Sequence, residues 1–556
     1  MTGAPLPTDA ERAPLLSKTH TIAPADYDRW KVPPAALAIH LCIGMAYGFS
    51  VFWLPLSRAI GIDAPQACEP EQSFFHALVQ TQCDWKISQL GWMYTLFFVF
   101  LGSSAAAWGG WLEREGPRKA GVVAAACWCG GLLVSALGIH LHQLWLLWLG
   151  SGVLGGIGLG LGYISPVSTL IKWFPDRRGM ATGMAIMGFG GGAMIGAPLA
   201  DRLIRTFATS ESVGVWESFV VLAAIYFLFM LGGAFGYRLP PVGWSPAPRK
   251  SGAITTATHM ITTRHVHVDR AWRTPQFWLL WGVLCLNVSA GIGVIGMASP
   301  MLQEMFGGRL IGLPEVPLSA LDTAQAAQVA AIAAGFTGLL SLFNIGGRLA
   351  WSSASDRLGR KTTYTVFFVL GLALYAVVPS TGHAGNIAWF VLCCGVILSM
   401  YGGGFATVPA YLADLFGTQM VGAIHGRLLT AWSTAGIVGP VIVNYIREFQ
   451  IDRGISPARA YDTTLYVLAG LLLLGLICNA LVRPVADRHF MSEAELLRER
   501  ERAHEAGVVP CMHSALGGGT SSRRSKGILL LAWSAVGLPL AWGVWVTLEK
   551  AAILLR

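Results

Sequence analysis

Long apolar runs separated by short polar turns fill most of the chain between about residues 35 and 482. Each run is about 20 to 28 residues long, the length that an α-helix needs to cross the hydrocarbon core of a bilayer. A further apolar run at 527–548, with a basic N-terminal flank, predicts a thirteenth helix. The twelve preceding helices are predicted at 35–59, 88–112, 119–139, 144–170, 178–204, 216–237, 276–303, 327–355, 362–381, 386–413, 420–446 and 461–482. We therefore expect an all-α integral membrane protein.

The polar segments between these runs divide the chain into six parts. Lysine and arginine concentrate in alternate loops, which places those loops and the N-terminus in the cytoplasm of a multi-pass plasma-membrane protein, of the bacterial inner-membrane type. The parts are a disordered cytoplasmic tail (1–33), a first six-helix half (34–237), a basic cytoplasmic loop (238–275), a second six-helix half (276–485), a cytoplasmic linker (486–526) and the extra helix (527–556).

Composition removes several classes of function. The chain is 54% apolar and only 12% charged, which is too apolar for a soluble domain. The net charge is +9, and the lysines and arginines behind it concentrate in the loops assigned to the cytoplasm. Because membrane orientation accounts for these charges, we expect no nucleic-acid partner. Glycine-rich stretches lie inside apolar helices, where small residues let helices approach, and no Walker lysine follows them. We expect no cofactor. We also expect that the protein is not an enzyme, because no pair of carboxylates and no His/Asp/Ser set lies at a common membrane depth.

The ten cysteines show no metal-ligand spacing, and most lie in apolar runs as packing residues. Cys68 and Cys83 differ because both fall in the loop between the first two helices, which the charge pattern places outside the cell. A disulfide persists in such an oxidising compartment. We predict that these two residues are joined, which would contribute about 3 kcal/mol by closing the loop.

The two six-helix halves repeat each other. Glu113-Arg-Glu-Gly-Pro-Arg-Lys119 follows the second helix, and Asp356-Arg-Leu-Gly-Arg-Lys361 follows the eighth, 243 positions later. Pro166 and Pro409 keep the same spacing. Such a register indicates an internal duplication, and parallel six-helix repeats are a known transporter plan with the substrate site at the midplane between them.

Arg348 is the strongest candidate for the substrate site. It lies eight residues before Asp356 in an apolar run, so the rise of an α-helix places it roughly 12 Å inside the membrane. A cation at that depth faces a cavity or a partner. A planar guanidinium binds a carboxylate with two parallel hydrogen bonds, so a small carboxylate is the expected substrate. Hydroxyl donors and apolar walls for it are expected from Tyr47, Tyr163, Tyr401 and Trp432.

The repeated acidic and basic turn resembles the loop motif of the major facilitator superfamily. Lys172-Trp-Phe-Pro-Asp-Arg-Arg-Gly and the segments around Arg348, Tyr401 and Trp432 are similar to the oxalate:formate antiporter family, which is related to the monocarboxylate porters. The resemblance implies that Arg348 binds a substrate carboxylate and that a latch on the cytoplasmic side opens and closes with the two halves. The expected latch residues are Glu113, Arg114, Arg118, Asp356, Arg357 and Arg360. The thirteenth helix resembles a small single-span subunit that accompanies some members of this family.

Two departures from this resemblance bear on the substrate. Oxalate-exchanging members have a lysine on the eleventh helix where this chain has Trp432, which favours a monocarboxylate such as formate, lactate or pyruvate over a dicarboxylate. Monocarboxylate porters have an acid one turn before their arginine, where this chain has Asn344. The coupling ion, a proton or a counter-anion, therefore stays open. The alternatives are oxalate/formate exchange and, in another functional class, a carboxylate-sensing receptor; we expect a monomer in the lipid bilayer.

Overall fold

The computed structural model describes residues 14–24, 26–62, 66, 78–79, 81–241, 244–246, 260–505 and 522–551. Within these ranges, thirteen helices are long and apolar enough to cross a membrane. Two isolated backbone bridges, Ile22 with Leu239 and Val266 with Phe490, are the only extended pairings of the described chain. The prediction of an all-α membrane protein with a thirteenth helix is confirmed.

The first half contains six long helices. The first of them narrows into a 3-10 segment at Gly44–Phe52, and a π-helical turn at Trp148–Leu154 precedes the fourth. The six are α1 (Val32–Ile43), α2 (Ile87–Glu115), α3 (Pro117–His140), α4 (Gly155–Trp173), α5 (Arg178–Phe207) and α6 (Val215–Gly236).

The second half repeats this plan, and its fifth helix is interrupted at Leu429. A short amphipathic helix, Glu493–Glu505, follows in the linker. The helices are α7 (Pro275–Phe306), α8 (Thr323–Leu358), α9 (Arg360–His383), α10 (Ile387–Phe416), α11 (Val421–Leu428 and Thr430–Asp452), α12 (Pro457–Leu481) and the final α13 (Ser522–Ala551).

The halves meet mainly along two helix pairs, α5 with α8 and α2 with α11. Small residues allow the close approach: a methyl group on Gly183 of α5 would overlap Ser352 and the Arg348 carbonyl of α8. The turns at 113–119 and 356–361 lie at one end of both pairs, which we call the basic end. The pairing of α5 with α8 places Arg348 of the second half directly against the first half.

Helix α13 packs on the outer surface of the body, across the line where the halves meet. It contacts α1 and α5 of the first half and α8 of the second. Val536 is buried against Leu37 and Ala38 of α1. In the most apolar 18 residues of α13, however, only 11% are buried. Most of this helix is therefore left to face lipid.

Part of the N-terminal tail, expected to be disordered, is folded against the bundle. Lys18–Thr21 forms a 3-10 turn, Ala23 donates a backbone hydrogen bond to Leu239, and Arg29 forms an ion pair of 2.7 Å with Asp176. Cation and carboxylate partners on the body order residues that have little apolar surface of their own. Residues 1–13 of this tail lie outside the described residues.

The predicted disulfide falls partly outside the described chain. Cys83 is disulfide-bonded, while Cys68 lies outside the described residues. The pairing of the two therefore stays a prediction. The seven other cysteines that the structure describes carry free thiols, as their apolar surroundings predict.

Candidate functional site

The guanidinium of Arg348 is enclosed between the two halves and has an exposed fraction of 0%. Its Nε donates to Oδ1 of Asn344, one turn earlier on α8, at 3.0 Å. Its Nη1 donates to the backbone carbonyl of Ile186 on α5 at 3.1 Å, and Nη2 has no partner. No carboxylate pairs with this arginine anywhere in the described residues. A buried charge without a counter-ion and with a free donor is a candidate anion site.

Aromatic rings surround this cation. Arg348 Cζ lies 5.7 Å from the ring centroid of Phe189 on α5 and 5.5 Å from that of Phe405 on α10. Both rings also contact Trp432 of α11, at centroid distances of 5.4 and 4.8 Å. Tyr163 of α4 contacts the same indole at 5.2 Å. The guanidinium therefore sits in a low-dielectric setting in which a charge-assisted hydrogen bond is strong.

Two tyrosines join the halves beside this cluster. The hydroxyl oxygens of Tyr47, on the 3-10 continuation of α1, and Tyr401, on α10, lie 3.2 Å apart. Both hydroxyl groups interact electrostatically with the Arg348 guanidinium. A ligand bound at Arg348 can therefore reach hydroxyl donors from both halves.

The cluster is closed to solvent in this conformation. Arg348, Tyr401 and Trp432 are each no more than 2% exposed. A cavity of about 640 Å³ opens instead at the basic end, where Lys18, Trp111 and Arg427 contribute to its wall. Access to the cluster therefore requires the halves to move apart.

At the basic end, Asp356 of the second half holds the start of α5 in the first half. Its carboxylate accepts hydrogen bonds from the backbone amides of Gly179 and Met180, at 2.8 and 2.9 Å. An anion is favoured there by the free amides and the dipole of a helix N-terminus. Arg360 donates to Asp356 at 2.7 Å and to Asp414 at 3.0 Å. Arg178 of the first half completes the network with a 2.8 Å bond to Asp414.

Glu113 makes the corresponding contact from the first half to the second. Its Oε1 accepts from the backbone amide of Gly422, at the start of α11, at 3.0 Å and from the Ser168 hydroxyl at 2.9 Å. Its Oε2 pairs with Lys172 at 2.5 Å. Lys18 of the N-terminal segment donates to the Glu113 carbonyl at 2.7 Å. Burial, and then the charge of Lys172, lower the pKa of Lys18 from 10.5 to about 8.

Three arginines expected in the latch lie elsewhere. Arg118 donates to the backbone carbonyls of Leu15 and His20, at 3.0 and 3.2 Å, and so holds the N-terminal segment rather than Glu113. The side chains of Arg114 and Arg357 are exposed. The turns place these side chains outside the contact between the halves.

The sequence matches a model of the Major Facilitator Superfamily over residues 36–440. The chain belongs to this superfamily. It is accordingly a multi-pass membrane transporter, as the repeated turns predict, and not an enzyme.

Other members of the Major Facilitator Superfamily resemble the chain over most of its length. It is 25% identical to the oxalate:formate antiporter of Oxalobacter formigenes over 405 residues, 73% of this chain and 81% of that protein. It is 30% identical to monocarboxylate transporter 12 of Rattus norvegicus over 390 residues, 67% and 75% of the two chains. The solved structure of the Escherichia coli fucose:proton symporter shares the fold, with a TM-score of 0.54 and 13% identity over 82% of this chain and 100% of that one.

The structure brings the residues expected at this transporter's substrate site into one cluster. Asn344 and Arg348 lie on α8, and the other four reach the same cluster from α4, α10, α11 and the 3-10 continuation of α1. Sequence analysis missed five residues that complete the cluster or the latch. Three of them stood inside recognised motifs, whereas Phe189 and Asp414 are placed by tertiary packing. The five are Lys172, Arg178, Phe189, Phe405 and Asp414.

Proposed function

We propose that this transporter carries small monocarboxylate anions, such as formate, lactate or pyruvate, and that Arg348 binds their carboxylate. One observation carries the proposal: a fully buried guanidinium meets only neutral acceptors and leaves Nη2 free. An unpaired buried cation is destabilising by several kcal/mol. A substrate carboxylate removes that penalty by accepting from Nη2 and competing with the Ile186 carbonyl for Nη1.

The preference for one carboxylate rests on the charge of the cluster. Arg348 faces two phenylalanine rings, both of which contact Trp432, and it lies beside the tyrosine hydroxyls. None of these groups is a cation. A second carboxylate placed among these rings would be desolvated without a counter-charge, at a cost of several kcal/mol. The resemblance to the oxalate:formate antiporter favours the competing proposal, oxalate exchange.

Alternating access follows from contacts that join the halves on either side of Arg348. The Tyr47 and Tyr401 hydroxyls meet beside the cation, and the acidic latch residues join the halves at the basic end. Since basic loops stay in the cytoplasm, we assign the basic end to the cytoplasmic side and the N-terminus with it. Separating the latch would then release the substrate inward, and separating the tyrosines would release it outward.

The proposal is tested by transport into proteoliposomes. Arg348→Lys keeps the charge but not the two-pronged donor, and should lose most exchange of labelled formate, lactate and pyruvate. Arg348→Ala should weaken binding by about 2–5 kcal/mol, or about 30-fold or more. Arg205→Lys is the matched control. Arg205 also lies on a long helix and contacts a residue one turn earlier, Asp201, but its side chain is 79% exposed. Unchanged saturation in Arg348→Ala contradicts the assignment.

The size of the substrate charge is tested at Trp432. Trp432→Lys should improve oxalate exchange relative to formate, because it supplies a second cation beside the same two phenylalanines. Oxalate exchange by the wild type that equals or exceeds formate, lactate and pyruvate exchange would favour the dicarboxylate antiporter instead. Saturable binding of a carboxylate without any exchange of label would favour a receptor.

A further inference from the structure

The cavity at the basic end is large enough for a small-molecule ligand of its own. Its volume is about 640 Å³, within the range of about 300–1,000 Å³ that is usual for small-molecule sites. Its wall is built from the N-terminal segment, α2 and α4 of the first half, the start of α11 in the second half and the linker helix (Glu493–Glu505). It shares no described residue with the cluster around Arg348. A ligand in this cavity would therefore touch both halves without occupying the substrate site.

The wall of this cavity is positively charged. Six lysine and arginine side chains line it together with three carboxylates, which leaves an excess of three positive charges when histidine is neutral. The cations come from both halves, the N-terminal segment and the linker helix. They are Lys18, Arg114, Lys172, Arg427, Arg500 and Arg502. A concave surface of one charge sign concentrates ions of the opposite sign.

Half of these cations have no acidic partner. Each of the three carboxylates forms an ion pair of 2.5–2.7 Å with one cation. The pairs are Glu113–Lys172, Asp269–Arg427 and Glu499–Arg502. The other three cations, Lys18, Arg114 and Arg500, have no carboxylate partner in the part of the chain that the structure describes. The side chains of Arg114 and Arg500 are exposed, so their donors are open to a ligand from solvent.

Membrane orientation explains basic residues on this face but not their convergence on one cavity. Cations that point apart into water are hydrated separately, whereas cations that face one cavity repel each other. Lys18 shows such a setting, because burial and then the like charge of Lys172 lower its pKa to about 8. An anion of several charges in the cavity would offset this repulsion and accept charge-assisted hydrogen bonds.

We propose that this cavity binds a small molecule with two or more phosphate groups, such as pyrophosphate or a nucleoside triphosphate, and that the bound anion holds the basic end closed. Three unpaired cations match a multivalent anion, whereas a monocarboxylate would pair with only one of them. Phosphate oxygens accept hydrogen bonds from both lysine and arginine. Trp111 and Met420 give the wall an apolar side on which the base of a nucleotide can lie. The inference does not depend on which anion Arg348 carries.

The effect on transport follows from the position of the cations. Arg114 belongs to the first half and Arg427 to the second, and the contact of Glu113 with Gly422 joins these halves beside the cavity. Separating α2 from α11 would move the two sets of cations apart, so the anion binds the closed form more tightly than the open one. A ligand with this preference shifts the population toward the closed form and slows transport.

Calorimetric titration of the full chain in phosphatidylcholine nanodiscs, without added carboxylate, tests the site. Pyrophosphate and magnesium-free ATP are the probes, and each should bind at a single site with an affinity that falls as salt is raised. Arg114→Gln and Arg500→Gln should each weaken binding by about fivefold, and the double variant by about 25-fold. Arg488→Gln is the matched control, because Arg488 is an exposed cation of the same linker that does not line the cavity. Its affinity for both probes should equal that of the wild type.

Two further measurements use the wild-type chain and so do not depend on the folding of a variant. Pyrophosphate should slow hydrogen–deuterium exchange of the amides at 421–426, at the start of α11. Nanodiscs that also contain phosphatidylinositol bisphosphate present the same phosphate chemistry as a lipid headgroup. The affinity for pyrophosphate should stay unchanged in them, and a loss of pyrophosphate binding would assign the cavity to the headgroup and overturn a soluble ligand.

The remaining outcomes separate the site from its alternatives. Absence of saturable binding overturns the site, and so does an equal loss of affinity in Arg488→Gln, which indicates diffuse attraction to a basic surface. Binding that leaves amide exchange at 421–426 unchanged overturns the effect on closure. Displacement of pyrophosphate by an equal concentration of formate or lactate would make the cavity an entrance for substrate instead. Arg348→Ala should bind pyrophosphate as the wild type does, so failure of the proposed function and failure of this site are separate results.

Discussion

The two copies of the repeated turn close the same end of the molecule with different chemistry. Asp356 and Glu113 each accept a backbone amide at the first turn of a helix in the opposite half, at Gly179 and Gly422. The contact is reciprocal: the second half holds α5 of the first, and the first half holds α11 of the second. The internal duplication thus repeats one contact, a carboxylate bound to a helix N-terminus. One copy joins α8 to α5 and the other joins α2 to α11.

The partners of the two acids differ. Asp356 belongs to a network with Arg360, Asp414 and Arg178, whose side chains are 8%, 6% and 14% exposed. Glu113 pairs with the more exposed Lys172, at 23%, and its neighbourhood is completed by the N-terminal segment. Removing one charge from a buried network is more destabilising than removing one charge from an isolated pair near water. We therefore expect the α5–α8 line to be the firmer of the two.

The largest expected effect is at Asp414. Asp414→Asn leaves Arg178 and Arg360 short of a counter-charge in a buried place, and breaking such a pair is destabilising by about 3–5 kcal/mol. Hydrogen–deuterium exchange of the amides at 178–183 should rise, and the unfolding temperature in detergent should fall. Asp201→Asn is the control, since its side chain is 47% exposed in a pair worth less than about 1 kcal/mol. Equal effects of the two substitutions would show that the network is not a latch.

A smaller and differently placed effect is expected at Glu113. Glu113→Gln still accepts from Gly422 and Ser168 but leaves Lys172 unpaired, which should be destabilising by about 1–3 kcal/mol. Amide exchange should rise at 421–426 and stay unchanged at 178–183. Asp356→Asn should produce the opposite pattern. If both substitutions loosen both helix starts equally, the two lines open as one unit and the comparison between them fails.

Much of the fold follows from the sequence because membrane helices depend on local composition. Apolar runs of sufficient length predict the thirteen helices. The repeated turns and the repeated prolines have the same spacing of 243 residues, which predicts the two halves. The end of α1 was less predictable. The apolar run continues to residue 59, but the α-helix gives way at Gly44 to a 3-10 segment, where a methyl group on Gly44 would overlap the Phe189 carbonyl of α5. That approach is a tertiary contact, which periodicity cannot show.

The site divides in the same way. The distance of Arg348 from the basic end was predictable from its spacing to Asp356, since helix rise is constant. Its partner Ile186 lies 162 positions earlier in the chain and contributes a backbone carbonyl, which carries no sequence signature. The contact of Arg348 with the opposite half therefore becomes visible only once the helices are packed.

The smallest expected effect concerns Lys18, which fastens the N-terminal segment to the weaker line. Its Nζ donates to the Glu113 carbonyl, and burial lowers its pKa from 10.5 to about 8. The undocked segment therefore holds more protons than the docked one between these two values. Docking should strengthen as the pH rises through this window, by less than about tenfold per pH unit, and should be weakest below pH 8.

Spin labels on exposed residues can follow this docking. Leu15 lies on the N-terminal segment and Leu358 at the end of α8, with exposed fractions of 64% and 49%. The population at the single distance that belongs to the docked segment should increase between pH 8 and pH 10. Lys18→Met keeps the apolar stem without the titrating group, so its docked population should not change with pH. A pH response that persists in Lys18→Met would place the titrating group elsewhere at the basic end. The contact between Lys18 and Glu113 would then not control the docking of the N-terminal segment.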